Sequence, residues 1–245
     1  MLNSKLAGPW SRKQGFAILI SFVVIYFGLS WLSMLAVKYT IGFAALWGDS
    51  KSPPAILLTL SQLLKALVIL AVIWSLALKR YQVSWSALGF RRVSVRWLYL
   101  AAGIAIAGFL LRILLAKVMV FAVPDWAAFA AAPIQLAGTS TLQLILFLVM
   151  TVLITPVVEE VFFRGFLFQW MASRHRLWLA ALISSVMFGA SHIIPPQAIS
   201  AALMSLLIIY LFVASKSLWP PIVCHIVNNL LSVSGNLLIP LLEAG

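Results

Sequence analysis

Seven apolar runs dominate this chain: Phe16–Val37, Ile56–Leu78, Trp97–Val120, Leu142–Met171, Leu177–Ile193, Ala198–Ala214 and Trp219–Leu242. A run of about 20 apolar residues is what an α-helix needs to cross a bilayer. The expected fold is therefore all-α, a polytopic integral membrane helical bundle with about seven transmembrane helices. The chain is 64% hydrophobic and 9% charged, far below the ~25% charge of a soluble domain. Its formal net charge of +12 does not point to nucleic acid, because the basic residues gather in the gaps between apolar runs, where membrane topology explains them. The single cysteine, Cys224, excludes an internal disulfide and reads as a small apolar residue.

The loop charges predict an orientation. With the N-terminus in the cytoplasm, Lys5, Arg12, Lys13, Lys79, Arg80, Arg91, Arg92, Arg96, Arg174, Arg176 and Lys216 fall on the cytoplasmic side. Only Lys38, Lys51 and Lys117 fall outside. That bias is the positive-inside pattern. The polar stretch Met1–Gln14 precedes a run too long for a signal-peptide core, so Phe16–Val37 reads as the first span. Breaks are expected at Pro53-Pro54, Pro195-Pro196 and Ser215-Lys216-Ser217, with a kink at Pro156. Pro124–Gln135 reads as an interfacial helix or a loop. The tryptophans, Trp31, Trp97 and Trp219 among them, read as interfacial anchors. Residues 1–140 form a cytoplasmic segment and three transmembrane helices. Residues 141–245 form a four-helix core expected to hold the chemistry. The chain is placed as a multi-pass protein of a bacterial cell membrane.

Acids are scarce, and their placement is informative. Of five Asp and Glu residues, two stand side by side, Glu159 and Glu160, after a run from Leu142 to Val158 with no charge. Carboxylates at such a depth are costly and are functional candidates by default. The other polar groups suited to proton chemistry lie in the same third of the chain: Arg164, His192, His225, Asn228 and Asn229. If the fourth and fifth runs form a hairpin about His175, Glu159 lies 16 residues before the turn and His192 lies 17 after it. At ~1.5 Å per residue both sit roughly 24–26 Å from the turn. His225, nine residues past Lys216, reaches only roughly 13 Å by the same rule. Its place at the site would need a recessed turn or tilted helices.

Local spacing adds detail. Glu160 and Arg164 are i,i+4 neighbours, as are His225 and Asn229 and also Phe188 and His192. A desolvated glutamate beside an imidazole can deprotonate a water. A second imidazole and an amide on one helical face can donate to an oxyanion. Glu159, His192 and His225 could instead supply a zinc site of two His and one Glu. Against that, the chain lacks H-E-x-x-H. Lys65 and Arg112, inside spans, read as snorkelling or buried paired groups.

These motifs resemble a known family. Glu159-Glu160-Val161-Phe162-Phe163-Arg164 matches E-E-x-x-x-R, Phe188-Gly189-Ala190-Ser191-His192 matches F-x-x-x-H, and His225-Ile226-Val227-Asn228-Asn229 matches H-x-x-x-N. In this order, they resemble the CAAX protease and bacteriocin-processing (Abi) family of intramembrane endopeptidases, related to the type II CAAX prenyl endopeptidases. Leu88-Gly89-Phe90-Arg91 looks like a stretch found upstream in bacterial members. The resemblance implies that Glu159 activates water with help from His192. It implies that His225 and Asn229 stabilise the oxyanion and that Glu160 and Arg164 form a supporting pair. It implies a peptide or membrane-protein substrate, the lipid bilayer as medium, and no cofactor, with zinc as the alternative. Two other classes stay open on the residues alone: a proton-coupled transporter using Glu159, His192 and Lys65, and a non-catalytic immunity or regulatory membrane protein.

Overall fold

The computed structural model describes residues 8–40, 55–122, 139–192 and 195–243. Among them there is no β-strand, and seven long helical segments follow one another. These are α1 (Arg12–Thr40), α2 (Ala55–Val72, prolonged by a π-helical turn Ile73–Leu78), α3 (Val95–Ala122), α4 (Thr141–Ala172), α5 (Leu177–Ala190), α6 (Pro195–Ser215) and α7 (Trp219–Glu243). Each of the seven expected runs overlaps one of these helices. The Pro124–Gln135 segment, the Pro53-Pro54 break and the tail after Glu243 lie outside the described residues.

Among the described residues five helices are long and apolar enough to cross a membrane, falling within α1, α2, α3, α4 and α6. Of the other two expected spans, the fifth is short for a physical reason. The fifth run stops at Ala190, because the chain turns at Ser191-His192. Its 14 residues extend about 21 Å, short of the ~30 Å hydrocarbon core. The F-x-x-x-H histidine thus sits where a short helix ends.

Helix starts follow local chemistry. Ser11 and Gln14 form reciprocal backbone bonds at the head of α1, Ser11 N–H donating to Gln14 Oε1 at 2.7 Å and Gln14 N–H to Ser11 Oγ at 3.3 Å. Ser140 and Gln143 repeat this capping box at α4, an arrangement that satisfies two otherwise orphaned donors. α6 and α7 open with prolines in their first turn, where a missing N–H costs nothing.

α4 is the hub. From Val158 to Ala172 every side chain is buried. Two π-helical stretches, Val149–Ile154 and Val161–Phe168, bracket the short α-helical piece Thr155–Glu160. Such local widening recurs at functional sites. α5 and α6 cross tightly at Gly189, where an added Cβ would stand 2.5 Å from the Ala198 carbonyl oxygen. α3 packs through the buried small residues Ala101 and Ala105 against Met204, Ile208, Leu211 and Cys224, the close approach typical of membrane helices.

The basic end of the bundle is tied together by loops. Trp10, fully buried, donates its indole N–H to the Ala77 carbonyl at 2.8 Å. It is a core residue, as is Trp170, in contrast to the anchor role expected for most tryptophans; Trp31 and Trp219 are exposed. Gln169 donates to the Ala87 carbonyl at 3.1 Å. Ser217 Oγ donates to the Arg91 carbonyl at 2.6 Å, and Leu218 N–H to the Gly89 carbonyl at 2.9 Å. Gly89 has φ +105°, a conformation that side chains disfavour.

Candidate active site

The two adjacent glutamates face different partners. Glu159 Oε1 accepts from Lys65 Nζ of α2. Glu160 Oε1 accepts from Arg164 Nη1 at 2.8 Å, one turn on, and is also 2.8 Å from His225 Nδ1 of α7. Arg164 is fully buried and also donates from Nη2 to Ser205 Oγ at 2.9 Å on α6. Two carboxylates are therefore balanced by two cations inside the bundle. Among the described residues every ion pair falls in this cluster. Removing one member of such a set leaves a buried charge uncompensated, at a cost of about 3–5 kcal/mol.

His225 joins the glutamates. Its Nδ1–H is engaged by Glu160, which directs Nε2 towards Glu159 Oε2 at 3.8 Å. That separation is too long for a direct hydrogen bond. The residue reaches the site because the Lys216 turn is recessed: Ser217 and Leu218 are fully buried beneath Gly89 and Arg91. Lys216 makes the turn at φ 57°. Counting rise from a surface turn therefore underestimates its depth.

His192 sits half-buried in the turn after α5. Its Nδ1 is 3.0 Å from the Phe188 carbonyl oxygen. A carbonyl can only accept, so Nδ1 carries the proton and Nε2 offers a lone pair. The His192 ring meets that of Phe188, which also meets His225.

Phe188 organises both imidazoles. Its ring meets His192 edge-on at 5.1 Å and His225 at 5.6 Å, with Phe163 at 4.9 Å on another side. The Arg164 guanidinium lies 4.7 Å from its centroid. Sequence reasoning gave it only a shared face with His192. The signal was its place as the first residue of F-x-x-x-H.

Asn229 is held by a defect in α4. Thr155 N–H donates to the Met150 carbonyl in the π pattern. The next donor in that pattern would be residue 156, a proline, which has no N–H. The Thr151 carbonyl so released accepts from Asn229 Nδ2 at 3.0 Å. Pro156 thus acts less as a kink than as the source of an acceptor that sets α7 in register. Asn228 Nδ2 donates to Asn229 Oδ1 at 3.3 Å. Beside this, the Gln62 amide and Thr151 Oγ1 are paired at 3.0 Å, so α2 meets α4 through Gln62 and Lys65 alike.

Lys65 is the residue that motif reading left outside the site. A lone cation in a span with no acid of its own must find one elsewhere, and that was the signal. Arg112 is not part of the cluster; it lies 4.8 Å from the Phe109 ring. Among the described residues no three His, Cys, Asp or Glu side chains converge as a metal ion requires. Lys65 already occupies one oxygen of Glu159, which leaves Oε2 as its open ligand atom.

A helical bundle with a buried acid–imidazole–amide cluster defines the class: a polytopic membrane protein with a polar centre among its spans. Residues 141–231 match the family described as type II CAAX prenyl endopeptidase Rce1-like, and this segment contains both glutamates, Arg164, both site histidines and Asn229. The site-bearing segment is thus similar to the CAAX protease and bacteriocin-processing family. Over 84 residues the chain is 29% identical to "Putative membrane peptidase YdiL" of Bacillus subtilis (strain 168), a stretch covering 34% of this chain and 34% of that protein. The match thus spans about a third of that relative's length. No solved structure matches the chain.

Proposed function

We propose that this protein is an intramembrane endopeptidase that hydrolyses a peptide bond with a water activated by Glu159. The observation that carries the reading is His225 standing between the two glutamates, Nε2 3.8 Å from Glu159 Oε2, with the Phe188 ring against both His225 and His192.

The roles follow from which atoms are already engaged. Lys65 holds Glu159 Oε1, which leaves Oε2 for a water. That water, shared with His192 Nε2, gives its proton to Glu159 as its oxygen attacks the peptide carbonyl carbon. Negative charge then builds on the carbonyl oxygen. His225 donates to it from Nε2, its ring held at Nδ1 by Glu160. Glu160 is in turn anchored by Arg164. Asn229 uses one amide N–H on Thr151 and has a second for the oxyanion. Collapse breaks the C–N bond, and Glu159 returns its proton to the leaving amine.

The mechanism is metal-independent: the Lys65 ammonium supplies the positive charge beside the carboxylate. The substrate is a peptide presented within or beside the bilayer. It enters extended or unwound, because a hydrogen-bonded helix shields its carbonyls. The test compares peptide termini, by mass spectrometry, in cells carrying the native protein and Glu159→Gln. New termini that vanish only in the variant support the reading; identical peptide sets contradict it.

A further inference from the structure

A second feature lies at the basic end of the bundle, among the start of α1, the end of α4 and α5. A cavity of about 420 Å³ opens there, walled by Phe16, Trp170 and Met187, with Arg12, Arg174 and His175 at its mouth. Phe16 meets Trp170 edge-on at 5.0 Å and is half exposed on the outer face of the bundle, so the wall runs out towards lipid. Leu167, Trp170 and Met171 of α4, all buried, also line it.

The charges at the mouth are unbalanced. Among the described residues, Arg12, Arg174 and His175 take part in no ion pair. Arg174 donates to the Trp170 and Trp10 carbonyls and to Ser173 Oγ. Those neutral acceptors fix the guanidinium, 5.5 Å from the Trp170 ring, without cancelling its charge. Burial, and then the Arg12 guanidinium nearby, push Arg174 below its usual value. Lys13 and Arg176 adjoin the same mouth in sequence.

We infer that this cavity is a binding site for one anionic phospholipid, whose phosphate meets Arg12 and Arg174 and whose acyl chain lies against Phe16, Trp170 and Met187. An apolar wall with a cationic mouth matches an amphiphile; a free phosphate would have no use for the wall. Basic pockets between spans near the membrane surface are the usual form of such recognition. The site is separate from the Glu159 cluster, so it stands whether or not the endopeptidase reading does.

Native mass spectrometry of the purified full chain, delipidated and titrated with dioleoyl phosphatidylglycerol or dioleoyl phosphatidylcholine, tests it. The expected result is a first phosphatidylglycerol bound at least tenfold more tightly than the first phosphatidylcholine. Arg12→Gln with His175→Gln abolishes that preference and leaves the Arg174 bonds intact. Met187→Trp, which fills the cavity without touching charge, also weakens the first binding step. Equal affinity for the two lipids overturns the inference, as does an unchanged preference in both variants. Competition by inorganic phosphate as effective as by lipid overturns it too, since it assigns the mouth to a soluble anion.

Discussion

His225 stands between the two glutamates, its Nδ1 2.8 Å from Glu160 Oε1 and its Nε2 3.8 Å from Glu159 Oε2. One imidazole therefore links the supporting pair, Glu160 and Arg164, to the proposed catalytic carboxylate. The two glutamates differ in role because they differ in neighbours: Glu160 is locked by Arg164, whereas Glu159 keeps one oxygen clear of its Lys65 bond.

Glu160→Gln is expected to act through His225. The variant keeps the side-chain shape but removes the charge that faces His225 Nδ1, and Arg164 is left as a buried cation without a counter-charge. Stability should fall by about 3–5 kcal/mol, read by denaturant or thermal unfolding in detergent. Glu160→Gln combined with Arg164→Met should recover most of that loss. No recovery in the double variant would count against a mutually balanced pair.

Lys65→Met leaves Glu159 without its cation. Loss of peptide cleavage together with a stability loss of about 3–5 kcal/mol is expected. Adding Glu159→Gln should restore stability but not cleavage. Full activity in Lys65→Met would show that the lysine has no part in the site.

Phe188→Leu keeps an apolar side chain but removes the ring edges against His192 and His225. Each such aromatic contact is worth about 0.5–1.5 kcal/mol. A fall in kcat of about tenfold with little change in KM is expected, because the ring sets the geometry of the imidazoles and does not touch substrate. A change confined to KM would contradict this.

The sequence made much of this legible, and the misses have physical causes. Seven apolar runs are long, and length is a strong signal; the helices lie where the runs are. The helix starts were not read from the runs: the capping boxes Ser11-Arg12-Lys13-Gln14 and Ser140-Thr141-Leu142-Gln143 set α1 and α4 upstream of their apolar runs. Glu159 and His192 were matched in depth by counting rise from His175; in the fold His192 meets Phe188, whose ring also meets His225 beside the glutamates. The same count failed for His225 because Ser217 and Leu218 are buried, a tertiary fact with no local signature. The π-helical stretches around Glu159 are equally silent: Pro156 marks a missing donor, but its partner Asn229 lies 73 residues away. Lys65 lay beyond motif spacing altogether.

Chelators should leave turnover unchanged, since the cation beside Glu159 is an ammonium of the chain itself. The check is the cleavage rate of purified protein before and after exhaustive treatment with 1,10-phenanthroline, with metal content measured alongside. A stoichiometric zinc whose removal stops turnover would assign Glu159 and the histidines to a metal centre.

The central claim is that Glu159 and His192 act on one water. A double-mutant cycle with Glu159→Gln, His192→Ala and the combination, on purified protein with a substrate found by the terminal-peptide comparison, measures this directly. Residues that act as a unit are grossly non-additive. The account predicts that each single variant loses nearly all cleavage and that the double is no slower than the worse single to within about twofold. Effects that multiply independently, or a Glu159→Gln enzyme that retains native turnover, would contradict it.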